Sequence, residues 1–156
     1  MRLDYINPIV DSALAVLSEF IGAPVERGSM QLHCDASPSR EVITIIGMAG
    51  EVEGRIMLEM DKDAAIGMAG IMNKEQFTDL TPFALDTLME LTNVMIARAV
   101  STLNDQGFVF RLTPPLIFTG SNLSIFNSLY LETLFVPLRT KVGDMNLNVA
   151  LRMKGL

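Results

Sequence analysis

Apolar residues recur at helical spacing three times along this chain, and shorter alternating stretches lie between and after them. Ile9, Val10, Ala13, Leu14, Leu17, Phe20 and Ile21 follow Asn7-Pro8, a capping residue and a proline suited to the first helical position, and Gly22 supplies a stop. This predicts a helix over about residues 8 to 21. Residues 22–40 are rich in Gly, Pro and Ser and read as a connector with a short strand near Met30 to Cys34. VITIIG after Glu41 and the alternating RIMLEM of residues 55–60 flank Gly50-Glu51-Val52-Glu53-Gly54, which predicts a hairpin. Asp61 can cap a helix of about residues 62 to 73, with Ala64, Ala65, Met68, Ile71 and Met72 on its core side. Thr81-Pro82 repeats the cap-then-proline opening, and the longest helical pattern runs from there to about Asn104. The last third reads as strands: Phe108 to Leu112, then Leu116 to Thr119 beyond Thr113-Pro114-Pro115. A final hairpin of Leu129 to Arg139 and Met145 to Met153 turns at Gly143-Asp144.

The two halves echo each other. VITIIGMAGEVEGRIMLEM and LFVPLRTKVGDMNLNVALRM are both long hairpins, and each half holds a helix opened by Asn-Pro or Thr-Pro. The expectation is an α+β fold: one antiparallel β-sheet with helices packed over it, two similar α/β halves in a single domain spanning residues 1–156.

Composition narrows the function classes. With 49% hydrophobic residues in a chain of 156, there is enough apolar material for one core. The net charge of -6 and the scattering of the 12 basic residues remove the electrostatic footprint of nucleic-acid binding. No run of eighteen apolar residues is present, so no membrane span is expected, and the N-terminal stretch lacks the basic and apolar regions of a signal peptide. The lone Cys34 has no partner for an internal disulfide, which fits a cytoplasmic protein. His33-Cys34-Asp35 lacks metal-ligand spacing, so no metal site is expected. Gly50, Gly54, Gly120 and Gly143 do not form a phosphate loop and read as hairpin turns. The methionines follow the core periodicity, and the only histidine falls in the connector, so no Ser-His-Asp set is expected.

The long helix carries the one pattern that asks for chemistry. Asp86, Glu90, Asn93 and Ala97 fall within a sector of about 60° on a helical wheel, while Leu88, Leu91 and Met95 lie opposite. Phe83, Met89, Val94 and Val100 flank this stripe. Two readings fit: a largely buried helix needs one wet face, or the stripe is a docking face. Asn is a poor helix former in mid-helix, and a solvated face needs no apolar rim.

At this point the residues carry a resemblance. DTLMELTNVMIARA resembles the phosphatase helix of the CheX/CheC/FliY family of chemotaxis phosphatases, whose signature is an acidic residue or Ser, three residues, Glu, two residues, Asn. VITIIGMAGEVEGRIMLEMD, AAIGMAGIM and LTPPLIFTG are similar to the family's first hairpin, its short helix and its Pro-Pro strand, in the same order. The first helix lacks the signature under either alignment of Asp11 or of the prolines, so the chain looks CheX-like, with one site. The resemblance implies an aspartyl-phosphate protein phosphatase acting on a CheY-like receiver domain. Asn93 would orient the attacking water and Glu90 would pair with the receiver's lysine; Asp86, Phe83 and Ala97 would contact the partner. The chain itself would bind no cofactor, and Mg²⁺ would sit on the receiver. It also implies a homodimer built on a sheet edge, for which VITIIG and LFVPL are the apolar candidates. Thr92 and Arg98 depart from the family pattern, which has a small residue, often Gly, at the first place and often Gly at the second. An alternative within the same fold is a non-catalytic module, like flagellar switch components, that binds a receiver without hydrolysing it.

Overall fold

In the computed structural model of the chain, the described residues are 3–33, 38, 40–125 and 132–155. Cys34, Asp35 and the predicted strand start at Leu129 fall outside them. The elements run α1 (Leu3–Ile21), β1 (Glu26–Arg27), β2 (Gln31–His33), β3 (Val42–Gly50), β4 (Val52–Met60), α2 (Lys62–Asn73), α3 (Pro82–Asp105), β5 (Phe110–Leu112), β6 (Leu116–Thr119), β7 (Thr133–Thr140) and β8 (Gly143–Met153). This is the expected α+β architecture of an antiparallel sheet with helices over it.

The sheet order β1-β7-β8-β4-β3-β5, with β2 also on β7 and β6 also on β3, gives the two halves physical form. The hairpins β3–β4 and β7–β8 meet along β4 and β8, in register from Val52↔Met153 to Met60↔Met145. Each half contributes a helix, two short strands and a long hairpin. The short strands of each half edge the hairpin of the other, since β1 and β2 pair with β7 while β5 and β6 pair with β3. The expectation that VITIIG and LFVPL face a free edge is therefore corrected: β3 and β7 are paired on both sides within the chain.

One face of the sheet carries Val42, Ile46, Ile56, Leu58, Met60, Val136, Leu138, Met145, Leu147 and Val149. It packs under Ile6, Ile9, Ala13 and Leu17 of α1, Met68 of α2 and Leu88, Leu91 and Met95 of α3. Burial of this single core is the main stabilising contribution. The opposite face is more polar. There Glu59 is buried and accepts from the Asn148 side chain and from the Arg40 N–H at 3.1 Å.

Two local predictions are corrected. α1 begins at Leu3, with Pro8 inside it rather than at its start. Proline removes one N–H, but Tyr5 and Ile6 are buried ahead of it and Tyr5 packs edge-on to Phe108 at 6.1 Å, so tertiary packing carries the helix past the proline. The first hairpin turns tightly between Gly50 and Val52, so Gly54 is not a turn residue but lies inside β4. Its φ of 141° and the approach of the Ala150 carbonyl, 1.9 Å from where a Cβ would stand, leave room only for glycine.

Candidate functional site

The site is one face of α3. Thr81 opens this helix as the sequence predicts: its hydroxyl accepts from the Ala84 N–H at 3.2 Å, with Pro82 next in the chain. The helix runs for 24 residues and buries Ala84, Leu88, Leu91, Met95, Ile96, Ala99 and Leu103. Opposite them, Phe83, Asp86, Glu90 and Ala97 are exposed and Asn93 is half-buried. The structure thus brings all five predicted residues onto one line. At 1.5 Å per residue, Glu90 stands about 6 Å along the axis from Asp86, and Asn93 about 4.5 Å further. Val94 and Val100 pack against the core, so part of the apolar rim serves α3's own packing.

Among the described residues, the side chains of Asp86, Glu90 and Asn93 make no hydrogen bond or ion pair within the chain. An acid and an amide with nothing internal to satisfy, one turn apart on a helix, are free to meet groups on another molecule.

The helix beneath them is held from three directions. Ser12 of α1 donates to the Met95 carbonyl at 2.5 Å. From the side of α2, Asn73 donates to the Thr87 hydroxyl at 2.7 Å, and Thr87 donates in turn to the Phe83 carbonyl at 3.0 Å. From the sheet, the Thr44 and Thr92 hydroxyls meet at 2.6 Å in a fully buried contact. These polar pins fix the height and rotation of α3, hence the direction in which Glu90 and Asn93 project. Sequence reading missed them. The signal for Thr87 and Thr92 was polar residues on the core side of a helix, but their partners come from distant segments.

The Thr44–Thr92 pin yields a stability prediction. Replacing Thr92 with Val keeps the shape and strips the buried Thr44 hydroxyl of its partner, at a cost of about 1–3 kcal/mol. Thr44→Val with Thr92→Val should recover most of that loss, because neither hydroxyl is then left unmade. Urea unfolding of the two single variants and the double variant checks this.

Arg98 is directed away from the stripe to Glu19 on α1, which it grips through two contacts of 2.8 and 2.5 Å. The Arg98 hydrogen bond, helped by its charge, holds the Glu19 carboxyl below its ordinary value. A depressed carboxyl contributes stability above its unfolded value, so this tie is in place at neutral pH and is lost as pH falls through the folded value. Both groups are exposed, so the contribution to stability is small.

Elsewhere, His33 leans on Phe135 at 5.8 Å and its Nε2 meets the Gln31 amide oxygen at 3.2 Å. Among the described residues there is no group of three or more His, Cys, Asp or Glu placed to hold a metal ion. No helix among them is long and apolar enough to cross a membrane.

Comparison with known proteins decides the family. The family description "Chemotaxis phosphatase CheX" matches residues 42–139, a span from β3 into β7 that contains the whole stripe. The chain belongs to the CheX family. A curated relative, the CheY-P phosphatase CheX of Thermotoga maritima, is 22% identical over 121 residues, which are 77% of this chain and 78% of that one. The CheX of Borrelia burgdorferi, solved in complex with CheY, BeF3 and Mg²⁺, is 34% identical and covers 97% of this chain and 99% of its own, with a TM-score of 0.82. A CheC-like protein from Shewanella, 24% identical, shares the fold with a TM-score of 0.87 over 97% of this chain and 99% of its own. Within a CheX fold, the two departures acquire local reasons: Thr92 bonds the sheet and Arg98 bonds α1.

Proposed function

We propose that this CheX-family chain hydrolyses the aspartyl-phosphate of a CheY-like receiver domain by laying the α3 stripe into the receiver's phosphorylation site. The observation that carries this reading is the pair Glu90 and Asn93: exposed or half-buried, without internal partners, and borne on a helix pinned to α1, α2 and β3. The receiver supplies its own Mg²⁺ and lysine around the phosphoryl group. What it lacks is a water held in line with the leaving oxygen, and phosphoryl transfer is accelerated mainly by positioning and electrostatics.

Asn93 fits that task because a carboxamide both accepts from water and donates to a phosphoryl oxygen, without placing an anion beside a dianion. Glu90, one turn earlier, supplies a carboxylate for the receiver's lysine and sets the register. Asp86 and Phe83 extend the contact toward the N-terminus of α3, and Ala97 leaves clearance at the other end.

A screen of the host's receivers tests this reading. Each is charged with a small phosphodonor, and phosphate loss is followed with and without the protein. At least one receiver should lose phosphate faster. Binding to a receiver with no acceleration of any would favour the non-catalytic module instead.

The chain further acts as a homodimer in this reading, joined along the β6 edge rather than along β3 or β7. Leu116 and Phe118 are 59% and 47% exposed there, and the outer side of β6 has no partner strand among the described residues. The unpaired backbone groups and exposed apolar side chains of this edge offer a template for pairing with a second copy. Light scattering at micromolar concentration should give twice the chain mass, and Phe118→Lys should halve it. A wild-type monomer would contradict the dimer.

A further inference from the structure

Glu90 and Asn93 act on groups that every aspartyl-phosphate receiver carries, so they leave little room to prefer one receiver over another. Discrimination needs a contact away from the reacting centre. Phe83 lies on the same line of α3, about 15 Å from Asn93 at 1.5 Å per residue. It carries a phenyl ring, and the residue is 54% exposed. The ring is not loose. It rests on Phe77 with centroids 5.9 Å apart and planes at 51°, and Phe77 packs in turn against the core. The backbone under it is fixed by the Thr81 cap, by the Thr87 hydroxyl donating to its carbonyl at 3.0 Å, and by Asn73 holding Thr87. Asp86, without an internal partner, follows one turn later.

The free protein therefore presents a braced aromatic knob with a carboxylate beside it, continuous with the catalytic stripe. A side chain already ordered loses little freedom on binding, and aromatic side chains are enriched at the cores of protein interfaces. We propose that Phe83, braced by Phe77, is the residue that selects the receiver. It enters an apolar recess about 15 Å from the phosphoryl group, bordered by a basic side chain that meets Asp86. This rests on the proposed phosphatase reading for its partner class. A contact so far from the chemistry is made equally in the ground and transition states, so it acts on affinity and KM rather than on the saturating rate.

The test separates the two readings. The host's receivers, loaded with beryllofluoride and Mg²⁺, are titrated into the Asn93→Ala protein, and the tightest and weakest binders are carried forward. Adding Phe83→Ala should weaken the tight receiver by about tenfold and the weak one much less, so the preference shrinks. Phe77→Ala, with Phe83 retained, should give a smaller loss in the same direction. With Asn93 intact, Phe83→Ala should raise KM for the tight receiver by about tenfold and change the saturating rate by less than about twofold. Unchanged affinity of the Phe83→Ala protein, or equal losses for both receivers, would overturn the inference. Absence of turnover by the wild-type chain despite Phe83-dependent binding would overturn the phosphatase reading and leave the anchor standing. If no receiver binds, both fall.

Discussion

Asn93→Ala is expected to lower the saturating rate of receiver dephosphorylation by about a hundredfold, equivalent to about 2.7 kcal/mol of transition-state stabilisation, while leaving receiver binding nearly intact. In the proposed mechanism the amide would act on the water and the phosphoryl oxygen only as the reaction proceeds, so its loss should belong in turnover. Folding should not suffer, because the Asn93 side chain makes no hydrogen bond or ion pair among the described residues and alanine is the better helix former. Asn93→Asp should be as inactive. It keeps the shape but sets an anion beside a phosphoryl dianion. Glu90→Ala should differ in kind: it would lose the proposed charge-assisted contact to the receiver's lysine, so affinity and rate should fall together. Titration of the receiver in the turnover assay separates the two patterns.

Ala97→Arg is expected to block docking without unfolding α3. Ala97 is exposed one turn beyond Asn93, and arginine is nearly as good a helix former as alanine. The new side chain fills the clearance at that end of the stripe. A clash built into an interface costs enough to lower kcat/KM at least about tenfold. Circular dichroism should show an unchanged helix content. An unchanged dephosphorylation rate would mean that this end of the stripe is not the contact surface.

The parts of this molecule that sequence exposes are those governed by local rules. The opening of α3 at Thr81-Pro82 follows from capping chemistry within four residues, and the structure has the predicted bond. The stripe itself follows from helical period alone, which is why Phe83, Asp86, Glu90, Asn93 and Ala97 land on one face. What stayed hidden depends on distant segments. Asn7-Pro8 reads as a helix start, yet Tyr5 and Ile6 are buried ahead of it and extend the helix. Gly54 looks like a turn glycine, but it answers to the Ala150 carbonyl of another hairpin. The polar pins that aim the stripe join α3 to α1, α2 and β3, with Thr44 and Thr92 lying 48 residues apart. Apolar strands such as VITIIG signal burial without saying which neighbour provides it, and here short strands from the other half do so.

In the proposed mechanism this chain removes phosphate from a receiver through Asn93. The most direct measurement follows phosphate release from one phosphorylated receiver, at saturating receiver, with the wild-type and Asn93→Ala proteins side by side. Rapid release is expected with the wild type and a rate at least about a hundredfold slower with the variant, although both should bind the receiver alike. Equal turnover by the two proteins would contradict it.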